Sequence, residues 1–290
     1  MTQPHPDVSA FFDPDTATVS YLVADPSSGR AAVIDPVRDY DPAAGRTGAA
    51  SAEAIIEAAR SRQLTVDWVL DTHVHADHLS ALPLIQAALG GRTGIGARVP
   101  QVQALFAAAF GLDDLARDGR QFDHLFDDDE TFQVGNITAR AIATPGHTPA
   151  CVSYLIGDAL FTGDALFMPD FGTARCDFPG GDAGQLHDSL RRLLALPPET
   201  RVFVGHDYAP GGRQPAWEST IAEQRRDNIH VGATAGLDRD GFIEMRQGRD
   251  ATLPMPRLIL PSVQVNIAAG ALPQADAEGR RFLKIPLDQF

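Results

Sequence analysis

The chain has 290 residues, 24 Lys and Arg against 38 Asp and Glu, and a formal net charge of −14. Hydrophobic residues at 44% and charged residues at 21% supply apolar surface for a sizeable core, which excludes a largely disordered chain. The acidic balance argues against nucleic acid and anionic membranes, both of which select basic faces.

Met1–Asp7 has neither a basic n-region nor an apolar h-region, so it does not read as a secretory signal. Val19–Val23 and Ala31–Ile34 are β-branched and aliphatic runs around the turn-like Asp25-Pro26-Ser27-Ser28-Gly29, which predicts a hairpin. Ser51–Arg62 opens with a capping-type Ser and places apolar residues at helical spacing. Val66–Leu70 is the next strand and runs straight into Asp71-Thr72-His73; Leu79–Leu89 then reads as helix, closed by Gly90-Gly91. Gly90–Gly96 (GGRTGIG) lacks the features of a phosphate loop and reads as a plain turn, and the acidic run Asp127–Glu130 as a solvated one. Ala104–Phe110 is too short to span a membrane.

In the second half, Ile137–Ala143, Val152–Ile156 and Ala159–Phe161 read as strands, Ala183–Leu196 as a helix stopped by Pro197-Pro198, and Arg201–Val204 as a strand. Strands punctuated by helices in both halves predict an α/β layered protein. Beyond Trp217 come a charged helix through Asn228, a helical stretch near Phe242–Arg249, and Pro-studded segments. The expected organisation is a catalytic-type domain over 1–215 and a C-terminal extension over 216–290 packed on it. Cys151 and Cys176 form no CxxC and fit a reduced cytoplasmic protein, each thiol more at home in packing than in chemistry.

The informative stretch is Thr72-His73-Val74-His75-Ala76-Asp77-His78, three histidines and an aspartate directly after a strand. Imidazole and carboxylate are what borderline first-row metals take. His73 and His75, two apart, would project to the same side of an extended segment, with Asp77 and His78 at the turn into the next helix. Further strands end in Pro145-Gly146-His147, Thr162-Gly163-Asp164 and Gly205-His206-Asp207-Tyr208. Any one of these is weak; four strand ends supplying metal-competent side chains in one chain point to a metal centre.

The H-x-H-x-D-H run, the His of PGHT, the Asp of TGD and the His of GHDY resemble the metal signature of the metallo-β-lactamase superfamily, over about Val19 to Tyr208. The resemblance implies an αβ/βα sandwich of two mixed β-sheets flanked by helices, with the metal cleft at one edge. THVHADHLSA, TPGHTPACVSY, FTGDALFMPDFGTARCDFPGGDA and GHDY are most similar to the persulfide (sulfur) dioxygenase branch, which is related to glyoxalase II. For that branch the resemblance implies one Fe(II) per chain on His73, His147 and Asp164, with His75, Asp77, His78 and His206 shaping the cleft or, alternatively, completing a site for two zinc-type ions. A 2-His-1-carboxylate triad leaves positions open for a persulfide sulfur and for O2, whereas two metals bridged by hydroxide would hydrolyse a thioester or lactone.

The implied activity is oxidation of glutathione persulfide by O2 and water to sulfite and glutathione, in a homo-oligomer (dimer or tetramer). The alternatives are a binuclear hydrolase of glyoxalase II type and, more remotely, a persulfide sensor. Arg175 is the candidate for bidentate binding of a glutathione carboxylate, with an ion pair to Asp177 or Asp207 as its structural alternative. For Tyr208 the resemblance implies a hydrogen bond to substrate at the cleft rim, with packing in the cleft wall as the alternative. In the tail, Arg225, Asn266 and Lys284 are polar residues for which a cap or salt bridge within the tail is expected, and the RLILPSVQVNI and LKIPL segments resemble the bacterial dioxygenase tail without a chemical role read for them. His5, His124, His187 and His230 have no ligand partners in sequence and read as surface or capping residues.

Overall fold

The computed structural model of the chain describes residues 5–289, so the first four residues of the Met1–Asp7 segment lie outside the described residues. In chain order the strands and helices are β1 (Asp7–Asp13), β2 (Thr18–Asp25), β3 (Arg30–Ile34), the short β4 (Val37–Arg38), β5 (Tyr40–Asp41) and β6 (Arg46–Thr47), α1 (Ala50–Ser61), β7 (Thr65–Leu70), β8 (Leu79–Ser80), α2 (Leu82–Leu89), β9 (Arg92–Gly96) and α3 (Val99–Ala109). The second half holds β10 (His124–Phe126), β11 (Thr131–Val134), β12 (Ile137–Ala143), β13 (Val152–Ile156), β14 (Ala159–Phe161), α4 (Ala183–Leu193), β15 (Arg201–Phe203), β16 (Glu218–Thr220), α5 (Ile221–Asp227), α6 (Arg239–Asp250) and α7 (Ile259–Asn266).

Two six-stranded mixed sheets form, in the orders β1-β2-β3-β7-β9-β10 and β11-β12-β13-β14-β15-β16. The predicted hairpin is present: β2 pairs antiparallel with β3, with Asp25 opposite Arg30. Because each sheet is covered on both faces, strands such as β2 are buried along their whole length and read as continuous apolar runs. Alternation then divides the side chains between layers. Val19, Tyr21 and Val23 face the second sheet's Ala139, Ala141, Tyr154 and Phe161, while Leu22 and Ala24 face Ile55 of α1 and Ile85 of α2. On the far side, Leu186, Leu190 and Leu193 of α4, Ile221 of α5 and Phe242 of α6 cover Ile142, Leu160 and Val202. The layers are thus helix, sheet, sheet, helix, as the resemblance implied. No helix among the described residues is long and apolar enough to cross a membrane.

Several local expectations change. Gly90–Gly96 is not simply a turn: after Gly90-Gly91 the chain enters β9, a central strand between β7 and β10. Weak strand propensity yields there to a buried slot between two established neighbours. The predicted helix at Leu79 starts instead at Leu82, because Leu79–Ser80 pairs with Val37–Arg38 and Pro83 sits in the first helical turn. Ser51 does not cap α1; its hydroxyl donates to Asp39 Oδ1 at 2.6 Å. The tail helices divide between the two outer layers. α6 packs on α4, while Ile259, Val263 and Ile267 join the layer of α1, α2 and α3.

Candidate metal centre

The four segments that carry the predicted ligands all leave strands at one edge of the sandwich: Thr72–His78 after β7, His147 between β12 and β13, Asp164 after β14 and His206 after β15. The sheets are tied together there. Val152 N–H donates to Thr72 O at 2.9 Å, Val19 N–H to Gly205 O at 2.8 Å, and the buried Tyr154 and Tyr21 hydroxyls to Asp71 O at 3.0 Å and Val204 O at 2.6 Å. Gly163 turns this edge with φ +50, and a Cβ there would collide with the Thr72 side chain, so the TGD and THVH segments approach as closely as they do because position 163 is glycine.

His73, His147 and Asp164 converge: Asp164 Oδ2 lies 3.9 Å from His73 Nε2 and 3.8 Å from His147 Nε2. The hydrogen bonds fix the tautomers. Thr72 Oγ1 spends its proton on Asp35 Oδ2 at 2.8 Å, so His73 Nδ1–H donates to Thr72 Oγ1 at 3.0 Å. His147 Nδ1–H donates to the carbonyl of Arg175 at 2.8 Å. Both rings therefore turn Nε2 toward one carboxylate oxygen, and His73 Nε2 is buried with no hydrogen-bond partner among the described residues. Burial, reinforced by His75, holds His73 neutral, well below the ordinary imidazole range. Two imidazoles and a carboxylate oxygen, buried and converging, fit a first-row divalent ion.

The remaining predicted residues form a second group. His73 and His75 have ring centroids 4.1 Å apart, yet their free nitrogens serve different clusters, because the loop bends rather than running extended. His75 Nε2–H donates to Asp35 Oδ1 at 3.0 Å and His78 Nδ1–H to Leu79 O at 3.1 Å. This leaves His75 Nδ1 and His78 Nε2 buried and unpartnered beside Asp77. His206 lies between two carboxylates, Nδ1 on Asp164 Oδ1 at 2.5 Å and Nε2 on Asp77 Oδ2 at 2.6 Å. Burial opposes a charge on His206, but Asp164 and Asp77 outweigh it and hold the imidazole well above its usual range.

Beside the triad opens a cleft of about 500 Å³, lined by Phe167, Phe171, Phe178 and Tyr208 and closed by the tail from Arg249 to Leu258. Tyr208 is 48% exposed and stacks on His206. Arg175 lines the cleft, but the structure forms the ion pair held as its alternative: Nε and Nη2 grip Asp177 at 2.6 Å each and Nη1 donates to Pro254 O at 2.7 Å. Arg249 and Arg257, which the sequence reading passed over, line the same cleft with no ion pair among the described residues. Arg213, not Arg175, holds Asp207.

Arg225 and Lys284 leave the tail instead of bonding within it: Arg225 caps the carbonyls of Leu194 and Leu196 beyond α4, and Lys284 Nζ reaches Gly111 O. Asn266 does not stay within the tail; its side chain bonds Ser80, His75 and His78. His5, His124 and His187 pair with Asp158, Glu130 and Asp188. His230 is buried rather than superficial, accepting from Thr173 N–H at 3.0 Å. Asp35 and Asn266 carry no metal-motif spacing. Only Asp35's place at the end of an apolar strand could have marked it.

A family model, the metallo-beta-lactamase superfamily, matches residues 13–206. Three kinds of relative are similar in sequence or structure. A beta-lactamase hydrolase-like protein of Agrobacterium fabrum is 50% identical over 98% of this chain, which spans 65% of that protein's length. Glyoxylase B2 of Dictyostelium discoideum is 44% identical over 97% of each chain. Among ETHE1 proteins, the persulfide dioxygenase ETHE1 of Homo sapiens is 28% identical over 89% of this chain and 87% of its own. The crystal structure of ETHE1 from Myxococcus xanthus superposes with a TM-score of 0.72 at 33% identity, covering 91% of this chain and all of that one.

Proposed function

The chain belongs to the metallo-β-lactamase superfamily, and from that membership and the geometry of the cleft we propose that it is a non-haem Fe(II) persulfide dioxygenase, converting glutathione persulfide, O2 and water to glutathione and sulfite. The observation that carries the reading is the unequal fate of the seven motif residues. His73, His147 and Asp164 offer three free donors to one point, while both nitrogens of His206, which a two-metal site would need as a ligand, are taken by carboxylates. A mononuclear triad with open positions suits a redox-active ion that meets two reactants. The solved ETHE1 relative supports the same direction.

Bound iron would supply the redox chemistry that joins O2 to the terminal sulfur; the protein supplies the rest. Thr72 and the Arg175 carbonyl orient His73 and His147 through their Nδ1–H groups so that each aims Nε2 at the triad, and Asp164 keeps Oδ2 free because His206 holds Oδ1. The walls of Phe167, Phe171 and Phe178 exclude water from the persulfide end. Tyr208 and the guanidinium groups of Arg249, which lies over the Phe171 ring, and Arg257, neither ion-paired among the described residues, are placed to orient a carboxylate-bearing thiol carrier, with Arg175 as a further lining cation already clamped by Asp177.

A second reading has its own support. His75 Nδ1 and His78 Nε2 are unpartnered beside Asp77, and the hydrolase-like and glyoxylase-named relatives are more similar in sequence than the human ETHE1. On that reading the chain is a binuclear thioester or lactone hydrolase. Elemental analysis after anaerobic loading separates the two: the dioxygenase reading expects one iron per chain, lost in Asp164→Ala. Two tightly held metals per chain, or full iron in Asp164→Ala, would overturn it.

A further inference from the structure

The metal-bearing loop is pinned at both ends by side chains outside it. Upstream, Asp35 accepts Thr72 N–H at 2.7 Å and Thr72 Oγ1–H at 2.8 Å. Downstream the anchor comes from the last helix of the chain. Asn266 Nδ2 donates to His75 O and to His78 O, each at 2.8 Å, and Asn266 Oδ1 accepts Ser80 N–H at 2.8 Å. Both amide protons and the amide oxygen are thus used, in a side chain that is 1% exposed, and all on the backbone of one loop. The turn that follows α7 presses on the same loop: Gly270, at φ +77, stands where a Cβ would collide with Ser80 O.

We infer that Asn266 is a positioning residue for the metal centre, setting the path of His75–Ser80 and through it the placement of His73. The inference rests on the metal centre proposed above. Among neutral side chains of its length, only an amide can donate twice and accept once in this arrangement. Asp would set a carboxylate against two carbonyl oxygens, and Ser has one proton for the two carbonyls. His73 lies between the Asp35 anchor and the Asn266 anchor, so loosening one end changes where its Nε2 points. Partners that orient ligands in this way typically change metal affinity roughly ten- to a hundredfold when removed. The extension then belongs to the metal site as well as to the cleft wall, since Arg249–Leu258 and Asn266 are carried on one continuous stretch.

Co(II) is a suitable probe, because its visible spectrum reports coordination geometry independently of turnover. Full-length wild-type, Asn266→Asp, Asn266→Ser and Gln264→Ala proteins would be titrated with Co(II), with circular dichroism checking that each is folded. Gln264, on the same helix, bonds the Lys284 backbone instead of the loop, so its variant loosens the tail without touching the metal loop. The expected result is roughly ten- to hundredfold weaker Co(II) binding with an altered spectrum in Asn266→Asp, a smaller loss in Asn266→Ser, and wild-type behaviour in Gln264→Ala. Wild-type affinity and spectrum in either folded Asn266 variant would overturn the inference, as would an equal loss in Gln264→Ala. Wild-type protein that takes up no Co(II) would overturn the metal centre itself, an outcome distinct from the other two.

Discussion

At the scale of single residues, the same histidine side chain does opposite electrostatic work in different parts of the molecule. His206 is held charged between Asp164 and Asp77, whereas burial lowers His230 to about 4. Thr173 N–H donates to His230 Nδ1, which therefore needs its lone pair, and Arg246 and Arg249 add to the cost of a charge. Between pH 6.5 and 4 the unfolded chain takes up a proton on this residue that the folded chain refuses. The stability His230 contributes is thus present above about pH 6.5 and is lost as pH falls toward 4, by up to about 3 kcal/mol. His230→Gln removes that proton from the balance. Thermal melts across this range should show a shallower acid-side decline in Tm for the variant than for wild type; parallel declines would contradict the assignment.

At the scale of elements, the tail is fastened by one buried ion pair. Arg246 pairs with Asp250 one turn along α6, and the two reach outward to Thr173 O and to Cys176 N–H respectively, so α6 holds the segment that forms the cleft wall. Asp250→Ala leaves Arg246 buried without its counter-charge and should destabilise the fold by about 3–5 kcal/mol in denaturant titrations, while Arg246→Met with Asp250→Leu should cost much less. Equal losses in the two proteins would show that packing, not charge, is decisive. Such cross-element ties mark the limit of what was legible in the sequence. The hairpin Val19–Ile34 and the ligand clusters could be read because strand pattern, turn residues and metal donors are adjacent in the chain. β9 could not, because Thr93-Gly94-Ile95-Gly96 has little strand character until β7 and β10 flank it. Asn266 could not, because its partners are backbone carbonyls nearly two hundred residues away, and a carbonyl leaves no mark in a sequence. Arg175 was legible as a cation of the cleft, but Asp177 beside it takes its guanidinium.

At the scale of the whole molecule, two sheets bring strand ends from both halves of the chain to one edge, and the tail closes the cleft over it. In an acidic chain of net charge −14, Arg249 and Arg257, without an ion pair among the described residues, line the cleft beside a buried set of two imidazoles and one carboxylate. That combination suits an anionic thiol carrier whose reactive end must be kept from water. The central claim is the reaction itself, and oxygen uptake tests it most directly. Anaerobically purified, Fe(II)-loaded protein is mixed with oxygenated buffer and glutathione persulfide, and O2 and sulfite are followed together, with a glutathione thioester as the parallel substrate. The account predicts rapid O2 consumption with sulfite appearing mole for mole and the thioester left intact. Iron-loaded protein that consumes no O2 yet hydrolyses the thioester at any oxygen level would contradict it.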